Sequence, residues 1–251
     1  MKKTVYEIKN NKFFKHLCFA VVSDLHGGDP TAVLEILKDQ RPDYILCPGD
    51  IFERLDGSAT DIYQNGLMFL TEASKLAPVI YSTGNHEDGG VRSWSHAWKK
   101  RVKERKYHES CRLDIDKSGA ILLEDNYIFK DGIAFGGLLS GIINEGAMPN
   151  LSWLDEFCDL DAPKILLCHH PEYYEMYLKD KNIDLIVSGH AHGGQWRIFG
   201  RGVFAPGQGI FPKYTNGIHD GRLVISTGLK INAIPRFFNP PEVVFINVRG
   251  I

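Results

Sequence analysis

Short apolar runs, each ending in a polar motif, recur along the chain and predict buried β-strands. Five such runs begin at Leu17, Tyr44, Val79, Ile165 and Ile183. Segments with helical periodicity lie between several of them, at residues 30–39, 59–76 and 171–180. This alternation indicates βαβ units, whose parallel strands would bring the polar motifs together along one crevice at their carboxyl ends.

The pattern changes from Arg197 onward, where glycine and proline punctuate shorter apolar runs. Strands are predicted around residues 203–204, 223–226 and 243–246. We interpret this part as antiparallel sheet that completes a sandwich, with long functional loops between its strands. The sequence shows no internal repeat, low-complexity segment or long linker, so residues 1–251 are predicted to form a single domain.

The bulk composition narrows the choice of partners. The 251 residues are 43% hydrophobic, which is ample for one continuous core, and their formal charge is -2, from 29 basic and 31 acidic residues. Such a balance gives no global field to attract nucleic acid, so a nucleic-acid partner is not expected and phosphate must be bound by a local site. The composition does not indicate the oligomeric state of the protein.

Apolar length and cysteine usage bear on the compartment. Charged residues interrupt the N-terminal apolar stretch, and no other stretch approaches the roughly 18 apolar residues of a membrane span. The five cysteines form no CxxC pair and are predicted to be buried free thiols, which suits a reducing compartment. The sequence therefore predicts a cytoplasmic protein without an integral membrane segment, and it leaves peripheral membrane association open.

Side chains that bind metals follow the apolar runs. Taken singly the motifs are weak, because the Asp-x-His motif at Asp24 also suits a helix cap and the Gly-Asp pair at Asp50 an ordinary turn. His190 and His192 are more specific, since residues i and i+2 of an extended segment point the same way and both rings can reach one site. Together, motifs that deliver oxygen and imidazole ligands to one sheet edge predict a metal centre.

The ligand types indicate the metal and its chemistry. Aspartate and histidine suit borderline divalent ions such as Mn²⁺, Fe²⁺ or Zn²⁺, whereas a set made only of oxygen ligands would favour Mg²⁺ or Ca²⁺. A carboxylate can bridge two ions, and ions about 3.5–4 Å apart can activate a water and clamp both oxygens of a displacement at phosphorus. Two divalent metal ions, Mn, Fe or Zn, are therefore the predicted cofactors.

The motifs in chain order are Asp24-x-His26, Gly49-Asp50, Gly84-Asn85-His86-Glu87, His169 and Gly189-His190-x-His192. This series resembles the full signature of the calcineurin-like metallophosphoesterases over residues 17–192. The resemblance implies an α/β fold, a four-layer αββα sandwich of two mixed sheets with the metal site at the carboxyl ends of the strands. It also implies two metal sites that share Asp50 as a bridging ligand. One site would be formed by Asp24, His26, Asp50 and His192, and the other by Asp50, Asn85, His169 and His190.

Catalytic and substrate-binding roles follow from the same resemblance. Asp50 is implied as the bridging catalytic ligand, and His86 as the cation or acid that faces the leaving-group oxygen. The Gly-Asp-x-x-Glu-Arg segment resembles a protein-phosphatase variant, which implies that Glu53 orients His86 and that Arg54 holds a phosphate oxygen. An ion pair of Glu53 and Arg54 on the surface explains the same residues equally well.

Two neighbours of the implied ligands have supporting roles at most. Adjacent residues of a strand point to opposite faces, so only one of His169 and His170 can face the metals. The family pattern favours His169 and leaves His170 a packing or supporting role. Glu87 is interpreted as either a supporting or an exposed residue.

A basic segment with an aromatic face spans Arg92 to Lys106. Trp94 and Trp98 are four residues apart and would share one face of a helix. Such a helix suits a lid over the site or contact with an anionic membrane. It also suits plain packing of the tryptophans under a solvated row of lysines, which is the interpretation we favour.

The stretch from Gly193 to Val243 resembles a bacterial branch of the same family, which includes UDP-2,3-diacylglucosamine pyrophosphatase-like phosphoesterases. Members of that branch often begin with a membrane-spanning or signal segment, which is not predicted for this chain. The resemblance therefore indicates one branch of the family but does not identify the substrate.

The predicted function is hydrolysis of a phosphodiester, pyrophosphate or phosphomonoester bond through a metal-bridging hydroxide. A nucleotide-linked or other small phosphorylated compound is the expected substrate, with a phosphodiester or pyrophosphate preferred over a phosphomonoester. The alternatives are a phosphoprotein phosphatase, a nuclease and a catalytically silent metal-binding scaffold. The scaffold is disfavoured because every expected ligand position is filled.

Overall fold

The computed structural model of the chain describes residues 1–53, 60–87, 109–140, 149–205, 208–230 and 236–250. Within them, two six-stranded mixed sheets pack face to face. Helices cover the outer face of each sheet. This arrangement confirms the four-layer αββα sandwich that the family resemblance implied.

The elements are numbered in chain order. The first sheet has the strand order β1 (Lys2–Lys9), β16 (Glu242–Arg249), β2 (Leu17–Val21), β3 (Tyr44–Pro48), β4 (Val79–Ser82) and β5 (Ile121–Leu122). The second has the order β14 (Gly217–His219), β15 (Leu223–Ile225), β9 (Leu185–Ser188), β8 (Lys164–Cys168), β7 (Ile133–Leu138) and β6 (Asn126–Lys130). Two small hairpins pair β10 (Arg197–Ile198) with β11 (Arg201–Gly202) and β12 (Phe204–Ala205) with β13 (Gly209–Ile210). The α-helices are α1 (Thr31–Gln40), α2 (Asp61–Ser74), α3 (Glu109–Lys117) and α4 (Leu154–Asp159).

The strands predicted from the five apolar runs are β2, β3, β4, β8 and β9. Strand β3 pairs in parallel with β2 and β4, and β8 pairs in parallel with β9. Every residue of β3, β4, β8 and β9 is buried, because helices or loops cover one face of each sheet and the opposite sheet covers the other. Parallel pairing brings the polar motifs to the carboxyl ends of neighbouring strands.

An apolar layer between the sheets holds them together. Phe19 and Leu46 lie in the first sheet, Phe135 and Ile165 lie in the second, and all four are fully buried. Phe19 stacks on Tyr44 with ring centroids 5.7 Å apart. Because full burial of such a side chain contributes about 1.5–3 kcal/mol, this layer keeps the two sheets, and the loops at their ends, in register.

Helix α2 fixes the loop that follows β3. Gly66 of α2 lies against the ring of Phe52, so closely that a Cβ at this position would be 2.6 Å from the ring. The same ring packs on Tyr63 of α2, with centroids 5.4 Å apart. The helix therefore positions the loop that carries Asp50.

The C-terminal part differs from the antiparallel sheet predicted for it. Strand β15 runs parallel to β9, and β16 runs parallel to β1, although β14 and β15 are antiparallel, as are β16 and β2. Strand β16 returns to the first sheet and is inserted between β1 and β2. The direction of these pairings depends on tertiary contacts, which a local pattern does not carry.

Two local features were not anticipated. Residues 171–180, predicted as helical, contain one turn of π-helix at Tyr174–Leu178. Strand β1 escaped prediction because most of its residues are exposed or half-buried and give little apolar signal. Lysines suit this strand, since it lies at the edge of the first sheet and charge discourages pairing with other chains.

The described residues contain no helix that is long and apolar enough to cross a membrane. All five cysteines are free, as predicted, and all but Cys18 are buried.

We expect Phe19→Ala to lower the free energy of unfolding by about 3–5 kcal/mol, because it leaves a cavity between the two sheets. Phe14→Ala is the matched control, since Phe14 is 96% exposed and its replacement should change stability by about 0.5 kcal/mol or less. Urea unfolding followed by circular dichroism measures both. Equal destabilisation by the two changes would contradict the proposed core.

Candidate metal centre

Loops that directly follow parallel strands meet at one edge of the sandwich. The loops after β2, β3 and β4 come from the first sheet, and those after β8 and β9 come from the second. They bring together the side chains that the sequence singled out as ligands, namely Asp24, His26, Asp50, Asn85, His169, His190 and His192. The structure thus places these residues together, and their role as ligands stays a prediction.

Four groups of potential ligand atoms occur among the described residues, and Asp50 joins two of them; the other two are His26, Glu53, His86 and His170, Glu172, His190. Within each group the atoms lie within 4.8 Å of one another, and the two joined groups are Asp24, His26, His192 and Asp50, His169, His190. Asp50 Oδ2 lies 3.5 Å from His26 Nε2 and 3.2 Å from His169 Nε2. One carboxylate oxygen therefore faces imidazoles from both groups, as the bridging position requires.

Hydrogen bonds orient the rings of His26 and His169 so that one nitrogen of each ring faces the centre. His26 Nδ1 lies 2.9 Å from Glu53 Oε2 and donates to it, which leaves Nε2 a buried nitrogen without a hydrogen-bond partner. His169 Nδ1 donates to the Pro48 carbonyl at 2.7 Å, which turns Nε2 toward Asp50 Oδ2 at 3.2 Å. Ring nitrogens that face a buried carboxylate need a proton or a metal cation between them, so these residues fit a divalent metal.

Buried negative charge controls the protonation of the centre. Burial acts to raise the pKa of Asp50, but the imidazoles of His169, His86 and His26 hold it well below its usual value. Burial acts to lower the pKa of His169, yet Asp50 raises it to about 10. The pKa of Asp50 is lowered and that of His169 is raised for the same reason: a carboxylate shielded from water is stabilised by positive charge beside it. A bound divalent cation provides the same stabilisation.

Strained backbone marks the candidate ligands. Asp24, His26, Asp50, His190 and His192 all have positive φ angles, between 45° and 64°. Side chains other than glycine rarely adopt this left-handed conformation, which costs of order 1 kcal/mol or more at each position. Strain of this kind persists where the surroundings hold a side chain in one functional direction.

Glycines let neighbouring loops approach the two aspartates closely. A Cβ on Gly84 would lie 2.2 Å from Asp50 Oδ1, and one on Gly189 would lie 2.5 Å from Asp24 Oδ2. A Cβ on Gly228 would lie 2.6 Å from Asp24 Cβ. Gly84 and Gly228 each end a Ser-Thr-Gly triplet after a strand, β4 and β15. This repeated triplet is the sequence signal that could have revealed the loop after β15 as part of the site.

Glu87 ties the loops after β3 and β4 together. Its carboxylate accepts hydrogen bonds from the N–H groups of Asp50 at 2.9 Å, Phe52 at 2.9 Å and Gly84 at 2.6 Å. The Tyr81 hydroxyl donates to it at 2.9 Å. Burial and the nearby Asp50 raise the pKa of Glu87 to about 7. Glu87 is therefore buried rather than exposed, and it supports the loop that carries Asp50.

His86 lies beside the centre, next to a carboxylate. Its Nδ1 is 3.3 Å from Glu53 Oε1, and its backbone N–H donates to Asp50 Oδ1 at 3.0 Å. Burial acts to lower the pKa of His86, but Asp50 and Glu53 outweigh burial and raise it, while Lys230 opposes them. Lys230 Nζ itself lies 2.9 Å from Glu53 Oε2. Glu53 thus contacts His86, where the sequence analysis placed it, and also Lys230, which that analysis did not single out.

His170 contacts a different set of residues. Its Nε2 is hydrogen-bonded to Ser140 Oγ, and its Nδ1 lies 3.5 Å from Glu172 Oε1. Burial and the neighbouring His169 lower the pKa of His170 to about 3. Its neutral ring packs on His190, with centroids 4.2 Å apart, which agrees with the packing role expected for it.

The C-terminal stretch supplies contacts that sequence analysis missed. Arg236 Nη2 lies 3.1 Å from His192 Nδ1, and Arg236 Nη1 donates to the Thr227 carbonyl at 2.9 Å. The Asn239 side chain donates to the His192 carbonyl at 2.7 Å. These residues hold His192 in place, but nothing in their local sequence announces a partner more than thirty positions away.

Arg54 and residues 92–106 lie outside the described residues. The phosphate contact predicted for Arg54 stays a prediction. So do the lid, membrane-contact and packing interpretations of residues 92–106.

Comparison with protein families decides the assignment. The model of the calcineurin-like phosphoesterase family matches residues 18–194, which include every candidate ligand. The chain belongs to the calcineurin-like phosphoesterases. Metal-dependent hydrolysis of phosphoesters, with divalent ions, is the chemistry of this family, and the clustered carboxylates and imidazoles supply candidate ligands for it.

Relatives of this phosphoesterase are found in animals and bacteria. It is 24% identical over 93% of its length to a putative metallophosphoesterase of Caenorhabditis elegans and 26% identical over its whole length to an uncharacterized one of Campylobacter jejuni. A Bos taurus transmembrane protein with a metallophosphoesterase domain is 26% identical over 71% of the chain. The chain spans only 48%, 63% and 41% of these relatives, respectively. A solved structure of a Thermus thermophilus protein matches 69% of the chain and 81% of its own length, with 16% identity and a TM-score of 0.43.

We expect Glu53→Gln to move the alkaline limb of the pH–rate profile to lower pH by about one unit. The Glu53 charge raises the pKa of His86, so its removal lets the acid form of His86 lose its proton at lower pH. Lys230→Gln should move the limb the opposite way, because Lys230 lowers the same pKa. Glu72→Gln, at an exposed carboxylate on α2, is the control and should leave the profile unchanged. Shifts of the same sign in both site variants would show that His86 does not set this limb.

Proposed function

We propose that the chain hydrolyses a phosphodiester or pyrophosphate bond in a nucleotide-linked or other small phosphorylated compound, using two divalent ions. Hydrolysis of a phosphomonoester is the alternative within the same chemistry. The proposal is carried by Asp50 Oδ2, which lies 3.5 Å from His26 Nε2 and 3.2 Å from His169 Nε2. A single carboxylate between two sets of ligand atoms supports a pair of ions that share it.

The ions, when bound, activate a water and neutralise charge on the phosphoryl oxygens. His26 and His169 would hold the ions in fixed directions, because hydrogen bonds to Glu53 and to the Pro48 carbonyl orient their rings. Asp24 and Asp50 are 0% and 1% exposed, so water is excluded from the carboxylates themselves. A dry, preorganised centre of this kind strengthens every electrostatic contact with the reacting group.

His86 supplies the proton for the leaving oxygen in this proposal. Its side chain is 20% exposed, so it can reach a substrate, whereas the aspartates and the other histidines among the predicted ligands are buried. Asp50 and Glu53 outweigh burial and raise its pKa, which favours the acid form of the ring. An acid beside the metals matters most for an alkoxide leaving group, which departs poorly without a proton.

The cations available to a substrate among the described residues favour a singly charged diester over a dianionic monoester. Among the described residues, Lys230 and Arg236 are the cations that contact the centre, and both are engaged. Lys230 lies 2.9 Å from Glu53, and Arg236 donates to a backbone carbonyl and contacts His192. A dianionic monoester gains from additional free cations, but a diester with a single charge needs fewer. The resemblance to UDP-2,3-diacylglucosamine pyrophosphatase-like enzymes supports the pyrophosphate form.

The test compares bis-p-nitrophenyl phosphate with p-nitrophenyl phosphate, using metal-stripped protein to which Mn²⁺ is added back. We expect activity to return as Mn²⁺ content rises to about two ions per chain, with the diester cleaved faster. Faster cleavage of p-nitrophenyl phosphate would assign a phosphomonoesterase instead. Full loading without cleavage of either compound, or of a nucleotide-linked pyrophosphate, would favour a metal-binding scaffold.

Asp50→Asn should lower turnover by about a hundredfold or more and reduce Mn²⁺ content, because an amide is a poor bridge between two cations. The control Asp155→Asn changes a carboxylate that is 78% exposed and should retain both. His86→Ala should instead retain Mn²⁺ content while slowing turnover by about 10²–10⁴-fold. Metal analysis and steady-state rates give both quantities. Near-normal turnover of Asp50→Asn would rule out the shared-ligand arrangement, and metal loss from His86→Ala would make His86 a ligand.

A further inference from the structure

Apolar side chains crowd the surface next to the metal centre. They come from the hairpin of β10 and β11, the turn after β13, and two residues that precede Asn239. We name this set the aromatic surface, and it consists of Trp196, Ile198, Phe199, Phe211, Phe237 and Phe238. All of these except Phe211 line one open groove of about 750 Å³. Such a concentration of exposed rings on one part of a chain indicates an interaction site.

Three phenylalanines of the aromatic surface occupy strained backbone positions. Phe199, Phe211 and Phe238 have φ angles of 48°, 51° and 53°. Glycine adopts this conformation freely, but a bulky side chain costs of order 1 kcal/mol or more. The rings are 102%, 68% and 88% exposed, respectively, so packing within the chain does not offset the strain. Cover by an external apolar phase would offset it.

The sequence of the hairpin region is basic, and Glu242, the carboxylate that interacts with Arg197, is only 3% exposed. Residues 185–219 include Arg197, Arg201 and Lys213 but no aspartate or glutamate, although the whole chain has a formal charge of -2. Lys213 is paired with Glu175 at 2.9 Å. Arg197 lines the groove, and Arg201 is exposed in the same hairpin. Aromatic rings flanked by arginine are typical of surfaces that lie on anionic bilayers.

We propose that the aromatic surface docks on an anionic lipid bilayer, with its rings at the level of the headgroups and Arg197 and Arg201 against lipid phosphates. A second copy of this chain is a poorer occupant. A symmetric contact would place the arginines of both copies opposite each other, and like charges across an interface oppose association. A lipid surface supplies both an apolar phase for the rings and negative charge for the arginines.

Hydrogen bonds connect this surface to the metal centre. The Arg197 N–H donates to the Phe237 carbonyl at 3.1 Å. The side chain of Asn239 donates to the carbonyls of His192 at 2.7 Å and Gln195 at 3.1 Å. A bilayer that covers the rings would therefore lie next to the loop of His192. This surface is distinct from residues 92–106, for which the sequence suggested membrane contact.

The test is cosedimentation of the Mn²⁺-loaded full chain with vesicles. We expect binding to vesicles made of equal parts phosphatidylglycerol and phosphatidylcholine, and weaker binding to phosphatidylcholine alone. The double variant Phe199→Ser, Phe238→Ser should bind at least about tenfold more weakly, because it removes the two most exposed rings of the aromatic surface. The matched control Phe14→Ser, Phe129→Ser changes rings that are 96% and 56% exposed elsewhere on the chain and should bind like the unchanged protein.

Three further results decide the proposal. Salt and Arg201→Gln should each weaken binding to the anionic vesicles, since the arginine contribution is electrostatic. No binding by the unchanged protein, or equal loss in both double variants, would overturn the proposal. Self-association that is lost in Phe199→Ser, Phe238→Ser, without vesicle binding, would assign the surface to a second copy. Because no hydrolysis is measured, the result is independent of the proposed activity, and circular dichroism verifies that each variant is folded.

Discussion

The centre depends on the burial of two like charges close together. Asp24 and Asp50 are 0% and 1% exposed, and a carboxylate removed from water costs several kcal/mol unless positive charge and hydrogen bonds accompany it. No single sheet could surround them on all sides. The sandwich answers this requirement because the strand ends of both sheets converge, so that histidines from the second sheet face an aspartate from the first.

The burial of these two carboxylates also explains why the backbone conformation and the positions of glycines are as important as the ligand side chains. His190 donates its N–H to Asp24 Oδ1 at 3.0 Å, and Lys230 donates its own to the Asp24 carbonyl at 2.7 Å. These contacts need the loops to pass within van der Waals distance of the carboxylates, where a Cβ on Gly84 or Gly189 would collide with oxygen. The candidate ligand residues adopt left-handed backbone conformations, and the strain of these conformations is the cost of this close approach.

The elements that could be predicted from the sequence are those marked by an apolar pattern within their own residues. The apolar runs of β2, β3, β4, β8 and β9 are buried on both faces and therefore need no knowledge of their partners. Strand β1, the direction of β15 and β16, and the contacts of Arg236 depend on residues far away in sequence, so no local pattern reveals them. The clustering of the candidate ligands was anticipated because their side chains follow predictable strands. The position of Glu87 was left open, because an acidic residue in a turn can be either exposed or buried against a partner.

Strand β16 has a consequence for how the protein is made. It lies between β1 and β2 and pairs Lys2 with Glu242, so the first sheet cannot close until residues 242–249 have left the ribosome. Until then the edge of β2, which leads directly to Asp24, has no partner on that side and is open to association with other chains. Pairings of such long sequence separation form slowly. Completion of the sheet that carries Asp24 therefore waits for a strand that begins only at Glu242.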